Sequence, residues 1–407
     1  MPLNAKQQQA LEMVKNNRVC VITGAPGTGK TFTLKAILEW AKDKNMNVTM
    51  AAPTGKASKQ MTMATKYEAS TIHRMLEPRK TKHGFTFTRN ADNLIKTDLL
   101  VLDETSMITN GLMADTLRAI DIKSTKIVFI GDAYQLPAVG PGAILRDFLK
   151  SGVIPSVELT EIQRNSGDIV RACHKIKDTK SYHPSEVLDD KNGFNLRHIE
   201  AVRPESIQQI IKMLVTERMP LRGYDPIWDV QVLSPTNKRT ILSCDGLNTI
   251  LQKELNTNPP IKDYKFRVDD KVIQTKNDKI STPTGDEVLV VNGDMGTIID
   301  IDVSGKKMVV EFCDPSRTVA VPMYDHNLLL AYCITTHRAQ GSEFPVVIIP
   351  VHTGFNFFVN RPWIYTGISR AKEICITVGQ FAAVKNAIKQ GDVLQRKTML
   401  IEKMREG

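Results

Sequence analysis

The sequence predicts an α/β protein built from two sheet units, each interrupted by a small β-rich insert. Three observations lead to this. At 407 residues the chain exceeds a single ordinary α/β core. Short apolar runs such as Val19 to Thr23, Val48 to Ala52 and those that open LLVLDETSMI (Leu99 to Ile108) and KIVFIGDAYQLPAVGPG (Lys126 to Gly142) alternate with amphipathic stretches, as in a sheet covered by helices. A second set of sheet signals then begins at Val230, and from Phe266 to about Tyr324 it is broken by short β-type runs with Asn-Gly, Gly-Lys and Asp-Pro turns.

The first strand leads into GAPGTGKT, Gly24 to Thr31, which fits the phosphate-binding pattern G-x-x-x-x-G-K-[ST] position for position. Gly24, Gly27 and Gly29 let the backbone turn sharply, so that the N–H groups of Ala25, Pro26's successors and Thr28 converge on phosphate oxygens at the start of the next helix. Lys30 then reaches the β- and γ-phosphates, and the Thr31 hydroxyl is a Mg²⁺ ligand. A glycine-rich turn with a chance Gly-Lys-Thr would have neither the strand before it nor the apolar periodicity of Phe32, Leu34, Ile37, Leu38 and Ala41 after it.

Before this loop, Asn4 is a suitable N-cap for a helix carrying Ala10, Leu11 and Val14 on one face; packed beside the phosphate loop it would bring Gln7 near a bound base, although on its own Gln7 reads equally as a solvated helix residue. After the second strand, Pro53-Thr54-Gly55-Lys56 opens a helix with a hydroxyl, backbone N–H groups and a cation, a second anion site suited to a polynucleotide backbone; an ordinary strand-to-helix turn has the same spacing. His73 follows in STIHRML. Residues 77–97 break the rhythm, with a basic run and alternating Phe85-Thr86-Phe87-Thr88, and predict an inserted hairpin with paired phenylalanines at its tip.

LLVLDETSMI ends a buried strand in two carboxylates. At the carboxyl end of a parallel strand beside a phosphate loop, Asp103 is placed to hold Mg²⁺ and Glu104 to orient the attacking water. The next strand ends in Asp132 and Gln135, where a glutamine can sense a γ-phosphate.

Composition is that of a soluble globular protein, with 42% hydrophobic and 24% charged residues, and the net charge of +10 points to a polyanionic partner. Six scattered cysteines form no metal-binding or disulfide framework, and the N-terminus lacks a signal-peptide core, so a cytoplasmic protein is expected.

The ordered set GAPGTGKT, APTGKAS, STIHRML, VLDETSM, GDAYQLPAVGPG, TEIQRNSG, AYCITTHRAQGSEF and YTGISRAK resembles the motif series of superfamily 1 helicases, and more narrowly the RecD/Dda-like group of superfamily 1B, whose members translocate 5′ to 3′. VVNGDMGTI, followed by AYCITTHRAQGSEF, is similar to that group's SH3-like insert and its next motif. The resemblance implies two RecA-like P-loop domains: residues 1–155 with a pin hairpin at 77–97, and residues 156–407 with an SH3-like barrel at 266–325.

It further implies that Gln7 reads adenine and that Gln135 senses the γ-phosphate, while Arg164 and Arg370 from the second domain approach that phosphate and Gly341 and Glu343 add nucleotide contacts. Pro53, Thr54, Lys56, His73, Thr335, His337 and Arg338 match single-strand contacts, and Phe85 and Phe87 become the pin candidates. Arg338 stands where lysine is common.

The implied activity is ATP-dependent 5′-to-3′ DNA unwinding with ATP and Mg²⁺, on single-stranded DNA and duplex junctions. The resemblance also implies a monomeric motor, with single-strand-binding protein as a candidate protein partner. A P-loop GTPase is disfavoured because Asn237-Lys238-Arg239 is followed by Thr240 rather than meeting Asn-Lys-x-Asp. A small-molecule kinase would not need a second sheet bearing arginines. A DNA-stimulated ATPase that translocates or binds without strand separation stays open on the same residues.

Overall fold

The computed structural model describes residues 2–81, 84–161, 167–313, 316–390, 396 and 398–406. The chain forms two compact units, one spanning the N-terminal part through residue 166 together with the C-terminal segment from 392, the other residues 167–391.

The first unit holds strands β1 (Val19–Gly24), β2 (Val48–Ala52), β3 (Ala69–Thr71), a hairpin β4 (Pro78–Thr81) and β5 (Gly84–Phe87), then β6 (Leu99–Leu102), β7 (Lys126–Gly131) and β8 (Ser156–Leu159). Its helices are α1 (Ala5–Asn16), α2 (Lys30–Asp43), α3 (Gly55–Thr65), the short α4 (Ile72–Met75), α5 (Asn110–Arg118) and α6 (Ile144–Ser151). Apart from the hairpin, the strands make one parallel sheet in the order β3-β2-β6-β7-β1-β8. Side chains alternate across it. Cys20 and Ile22 face a core with Ala10, Val14, Leu34, Ile37 and Leu38 from α1 and α2, whereas Val21 faces one with Leu100, Phe129, Met113, Ile144 and Phe148. Each fully buried aliphatic side chain contributes roughly 1.5–3 kcal/mol, and with both faces covered, the sheet carries continuous apolar runs rather than an in-and-out pattern.

The boundary differs from the one expected. β8 pairs in parallel with β1, Val21 opposite Ser156, so residues 156–159 complete the first sheet instead of opening the second unit. The C-terminal helix α12 also belongs here: Leu400 and Met404 pack against the core beside α6. Its label follows the helices of the second unit, α7 (Asp168–Asp178), α8 (Pro204–Met213), α9 (Cys244–Leu255), α10 (Arg361–Ser369) and α11 (Phe381–Lys389), and α12 itself spans Leu400–Glu406.

The second unit has strands β9 (Leu196–Glu200), β10 (Val230–Ser234), β11 (Lys271–Gln274), β12 (Asp278–Ser281), β13 (Glu287–Val290), β14 (Met295–Asp302), β15 (Lys307–Cys313), β16 (Ser316–Pro322), β17 (Leu328–Leu330), β18 (Cys333–Thr335), β19 (Phe344–Val351) and β20 (Ala371–Gly379). Five of them form a second parallel sheet, β18-β10-β19-β20-β9. The insert is an antiparallel sheet, β16-β15-β14-β11-β17, with the β12–β13 hairpin and its own core of Phe266, Val272, Ile298, Val310, Phe312 and Val319. It extends to β17, a few residues beyond the expected end, because Leu328, Leu329 and Leu330 pair with β11.

The insert is joined to its host sheet by buried polar contacts. Asp270, fully buried, accepts from Gln252 Nε2 at 2.5 Å, Asn256 Nδ2 at 2.8 Å, the Arg267 N–H at 2.7 Å and the Tyr332 hydroxyl at 3.0 Å. Next to it, Lys271 donates to the Ile227 carbonyl and to Gln231 Oε1. Such groups are tolerated inside only because each has partners.

Candidate functional site

The site in the first unit is built at the carboxyl ends of β1, β6 and β7. After β1 the chain passes through two left-handed residues, Gly27 (φ 78°) and Gly29 (φ 84°), which a residue with a Cβ adopts only at a cost. Gly24 is needed for a different reason: a Cβ there would lie 2.6 Å from Thr28 Oγ1 and 2.9 Å from the Leu159 carbonyl. Thr28 Oγ1 donates to the Ala25 carbonyl at 2.8 Å and closes the loop. α2 then starts at Lys30 with its N-terminal N–H groups unpaired within the helix, the usual arrangement for an anion. Lys30 Nζ curls back over the loop, donating to the carbonyls of Gly24 at 2.7 Å and Ala25 at 3.2 Å.

Asp103 follows β6, where its N–H donates to the Ala51 carbonyl of β2 at 3.0 Å. Burial pushes its carboxyl above the ordinary range, while the Glu104 N–H and the charge of Lys30 pull it back down. Glu104 itself has φ 49° and starts a 3-10 turn, Thr105–Met107. Among the described residues no group of three or more His, Cys, Asp or Glu side chains could hold a metal ion. Thr31 and Asp103 are the residues that would hold Mg²⁺ together with phosphate oxygens, the usual sparse protein set for that ion.

Two buried amides test the fit to a nucleotide. Gln7 is fully buried, and its Oε1 accepts from the Asn4 N–H at 3.1 Å while Asn4 Oδ1 accepts from the Gln7 N–H at 2.8 Å, a complete capping box. That leaves Gln7 Nε2 buried with no partner. Gln135, 7% exposed, likewise has a buried Oε1 with no partner. Orphaned buried amides cost stability; the Gln7 donor suits a purine acceptor, whereas the Gln135 oxygen calls for a donor such as a water molecule rather than a phosphate oxygen. The residues fit ATP.

The nucleic-acid candidates of this unit are less uniform. Thr54 caps α3, accepting from the Ala57 N–H at 3.2 Å, which sets Pro53 and Lys56 around the first turn. His73 lies on α4, with its ring centroid 6.0 Å from that of Phe87. Partial desolvation holds its imidazole below the ordinary histidine range. The hairpin is confined to Pro78–Phe87, and Phe87 pairs with Pro78 at its base, half-buried against the core that contains Ile72 and Leu76. The expected tip position for Phe87 is thus corrected, because the four-residue strands put residue 87 at the open end. The side chain of Phe85 and the whole of Arg164 lie outside the described residues.

In the second unit, Gly341, Glu343 and Arg370 come together at the amino ends of β19 and β20. Gly341 adopts φ 69°. Arg370, 4% exposed, donates from Nη1 to the Ser342 carbonyl and from Nη2 to Ser369 Oγ, both at 3.2 Å, and its Nε is buried without a partner. Glu343 is exposed, 3.7 Å from Lys372. Thr335 ends β18 at the opposite, carboxyl edge of the sheet, followed by exposed His337 and by Arg338, whose Nη1 donates to Asn237 Oδ1 at 3.1 Å. Asn237, in the loop after β10, reads from the sequence only as part of a failed Asn-Lys-x-Asp pattern and not as a partner of Arg338.

Comparison with known proteins matches three segments of the chain. Residues 2–195 match the AAA domain family, residues 247–312 the ATP-dependent RecD-like DNA helicase SH3 domain, and residues 330–378 the UvrD-like helicase C-terminal domain. These three matches make the chain similar to RecD-like helicases. This RecD-like chain is 31% identical over 412 residues to the ATP-dependent RecD2 DNA helicase of Deinococcus radiodurans, covering 99% of itself and 52% of that protein. It is 26% identical to the RecBCD enzyme subunit RecD of Mycolicibacterium smegmatis, over 98% of itself and 75% of that subunit. The RecD-like chain thus spans about half the length of RecD2. A crystal structure of Pif1 helicase from Bacteroides in complex with ADP-AlF3 and ssDNA shares the fold, with a TM-score of 0.53 and 18% identity over 97% of this chain and 96% of that one. No helix among the described residues is long and apolar enough to cross a membrane.

Proposed function

We propose that this RecD-like chain is an ATP-dependent DNA helicase that moves 5′ to 3′ on single-stranded DNA and separates duplex strands. The observation that supports the reading most directly is the Lys30 ammonium folded over the phosphate loop, close enough to Asp103 to act on its carboxyl, together with a buried Gln7 Nε2 that has no partner and that a purine acceptor would satisfy. ATP with Mg²⁺ supplies the phosphoryl group. Lys30 and the loop amides hold its phosphates, Thr31 and Asp103 hold the metal, and Glu104 orients water and takes its proton. Arg370, already ordered by Ser342 and Ser369, stabilises charge in the transition state. Arg164 has the same proposed role by resemblance. Pro53, Thr54, Lys56, Thr335, His337 and Arg338 grip the strand, so that hydrolysis is tied to movement.

A second reading, translocation without strand separation, is favoured by the shortness of the hairpin and by Phe87 lying at its base. One experiment tests both: ATP turnover with and without single-stranded DNA, together with unwinding of duplexes bearing a 5′ or a 3′ tail. DNA-stimulated turnover and unwinding from the 5′ tail alone is the expected result. Stimulated turnover without unwinding selects the second reading, unwinding only from the 3′ tail overturns the direction, and no ATP turnover overturns both readings.

A further inference from the structure

The chain does not end in its second unit. After α11 it returns to the first, where α12 packs beside α6 and Arg405 donates to the carbonyls of Ser151 at 3.1 Å and Lys150 at 2.8 Å. Thr398 Oγ1 donates to the buried Asp147 carboxylate at 2.5 Å. Arg396 comes just before these contacts in the chain. Its guanidinium donates to three carbonyls of one loop: Nη1 to Gly140 at 2.5 Å and Gly142 at 2.6 Å, and Nη2 to Ala138 at 2.7 Å. Its own carbonyl accepts from Arg146 Nη2 at 3.1 Å.

That loop begins at Gln135. It is also tied to the turn after Glu104, since the Ala138 N–H donates to the Ser106 carbonyl at 3.0 Å and the Pro141 carbonyl accepts from the Asn110 N–H at 3.0 Å. Gly140 (φ 134°) and Gly142 (φ 112°) give it a path open to glycine, and at Gly142 a Cβ would lie 2.1 Å from Asn110 Oδ1. Three carbonyl dipoles aimed at one point repel each other unless a cation sits there, and a planar guanidinium with fixed donors answers that geometry better than a point charge.

We infer that Arg396 is a positioning residue for ATP hydrolysis, holding the Gln135–Gly142 loop, and through it the turn that follows Glu104, from the C-terminal segment of the same chain. The inference rests on the ATPase reading above. Without Arg396 the loop keeps its contacts to Ser106 and Asn110 but loses the charge that gathers its carbonyls, so Gln135 is held less well while the nucleotide-binding loop is untouched.

The test uses the full chain with Arg396→Ala, Arg396→Lys and, as a control for the packing of α12, Arg405→Ala. Turnover of ATP is measured with and without single-stranded DNA, together with amide hydrogen exchange over residues 136–142 and Tm. Arg396→Ala is expected to lose roughly 10- to 100-fold in kcat, the scale of a small misplacement in a reacting site, with KM for ATP within about threefold and faster exchange in the loop. Arg396→Lys should recover part of both, and Arg405→Ala should keep wild-type kcat. Unchanged kcat or unchanged loop exchange in Arg396→Ala, or equal losses in Arg396→Ala and Arg405→Ala, would overturn the inference alone. A wild-type chain that hydrolyses no ATP would overturn the ATPase reading, and this inference with it.

Discussion

The Glu104 N–H donates to Asp103 Oδ1 at 2.7 Å, and Glu104 reaches that position through a left-handed backbone, φ 49°. The bond ties Asp103 Oδ1 to the backbone of its neighbour and not to the neighbour's carboxylate. A non-glycine residue in this region is strained by about 1–3 kcal/mol, and such strain clusters at functional sites. Two adjacent carboxylates can then serve different partners. Glu104→Gln keeps the backbone path and the Asp103 contact while removing the base, so ATP should bind with near-normal affinity and kcat should fall roughly 10²- to 10⁴-fold. Comparable turnover in the variant and the wild type would remove Glu104 from the chemistry.

Gln7 offers a cleaner separation of cap from ligand. Replacing Asn4 by alanine breaks the capping box from the other side, at about 1 kcal/mol, without touching Gln7 Nε2. Gln7→Ala removes both the cap and the orphaned donor. KM for ATP should rise roughly tenfold in Gln7→Ala, one hydrogen bond's worth, and stay close to wild type in Asn4→Ala, while both lower Tm. Equal KM values in the two variants would mean that Gln7 is only a cap residue.

The parts of this site that were legible in the sequence are those whose function depends on the local chain. The phosphate loop, the capped first helix and the carboxylates after β6 each lie within a few residues of the signal that announces them. Arg396 carries no such signal, since its three acceptors stand more than 250 positions earlier in the chain. The boundary at 155 was misplaced for a related reason: VELT reads as a strand, but only the pairing of Ser156 with Val21 says which sheet it joins. Phe85-Thr86-Phe87 showed the alternation of a hairpin strand without showing which end of the strand was the tip.

Arg370 is almost fully buried yet has one guanidinium nitrogen without a partner. An arginine that served only to tie Ser342 to Ser369 would tolerate lysine with a modest loss. If it acts on a phosphoryl group, both Arg370→Ala and Arg370→Lys should lose roughly 10³-fold or more in kcat, because lysine cannot reproduce the planar fork. Affinity for single-stranded DNA should change little, since Thr335 and Arg338 lie at the other edge of the sheet. Turnover retained in Arg370→Lys, with Tm lowered equally in both variants, would make the residue structural.

The grip on DNA is expected to be largely electrostatic. Lys56 and Arg338 stand at the starts of segments that follow a strand's carboxyl end, and Arg338 is oriented by Asn237. If each neutralises one phosphate, then the slope of log Kd against log salt should become shallower by about 0.7 in Lys56→Ala or Arg338→Ala. Asn237→Ala should weaken binding less and leave the slope near the wild-type value, because it removes an orienting contact rather than a charge. A wild-type affinity independent of salt would contradict this account.

Phe87 now calls for a different expectation from that of an exposed pin residue. Its ring lies against His73 and the core at the hairpin's base, so Phe87→Ala should cost about 1–2 kcal/mol, roughly half the value for a fully buried phenylalanine, and loosen the hairpin as a whole. Phe87→Leu fills much of the same space and should restore most of that stability. If the hairpin's rigidity matters for opening the duplex, unwinding from a 5′ tail should slow in Phe87→Ala and recover in Phe87→Leu, with DNA-stimulated ATP turnover intact in both. If instead the aromatic face stacks on a base, worth about 1–3 kcal/mol, Phe87→Leu should unwind as poorly as Phe87→Ala despite its restored Tm. Packing at the base favours the first outcome. Undiminished unwinding in Phe87→Ala would separate the hairpin from strand opening altogether.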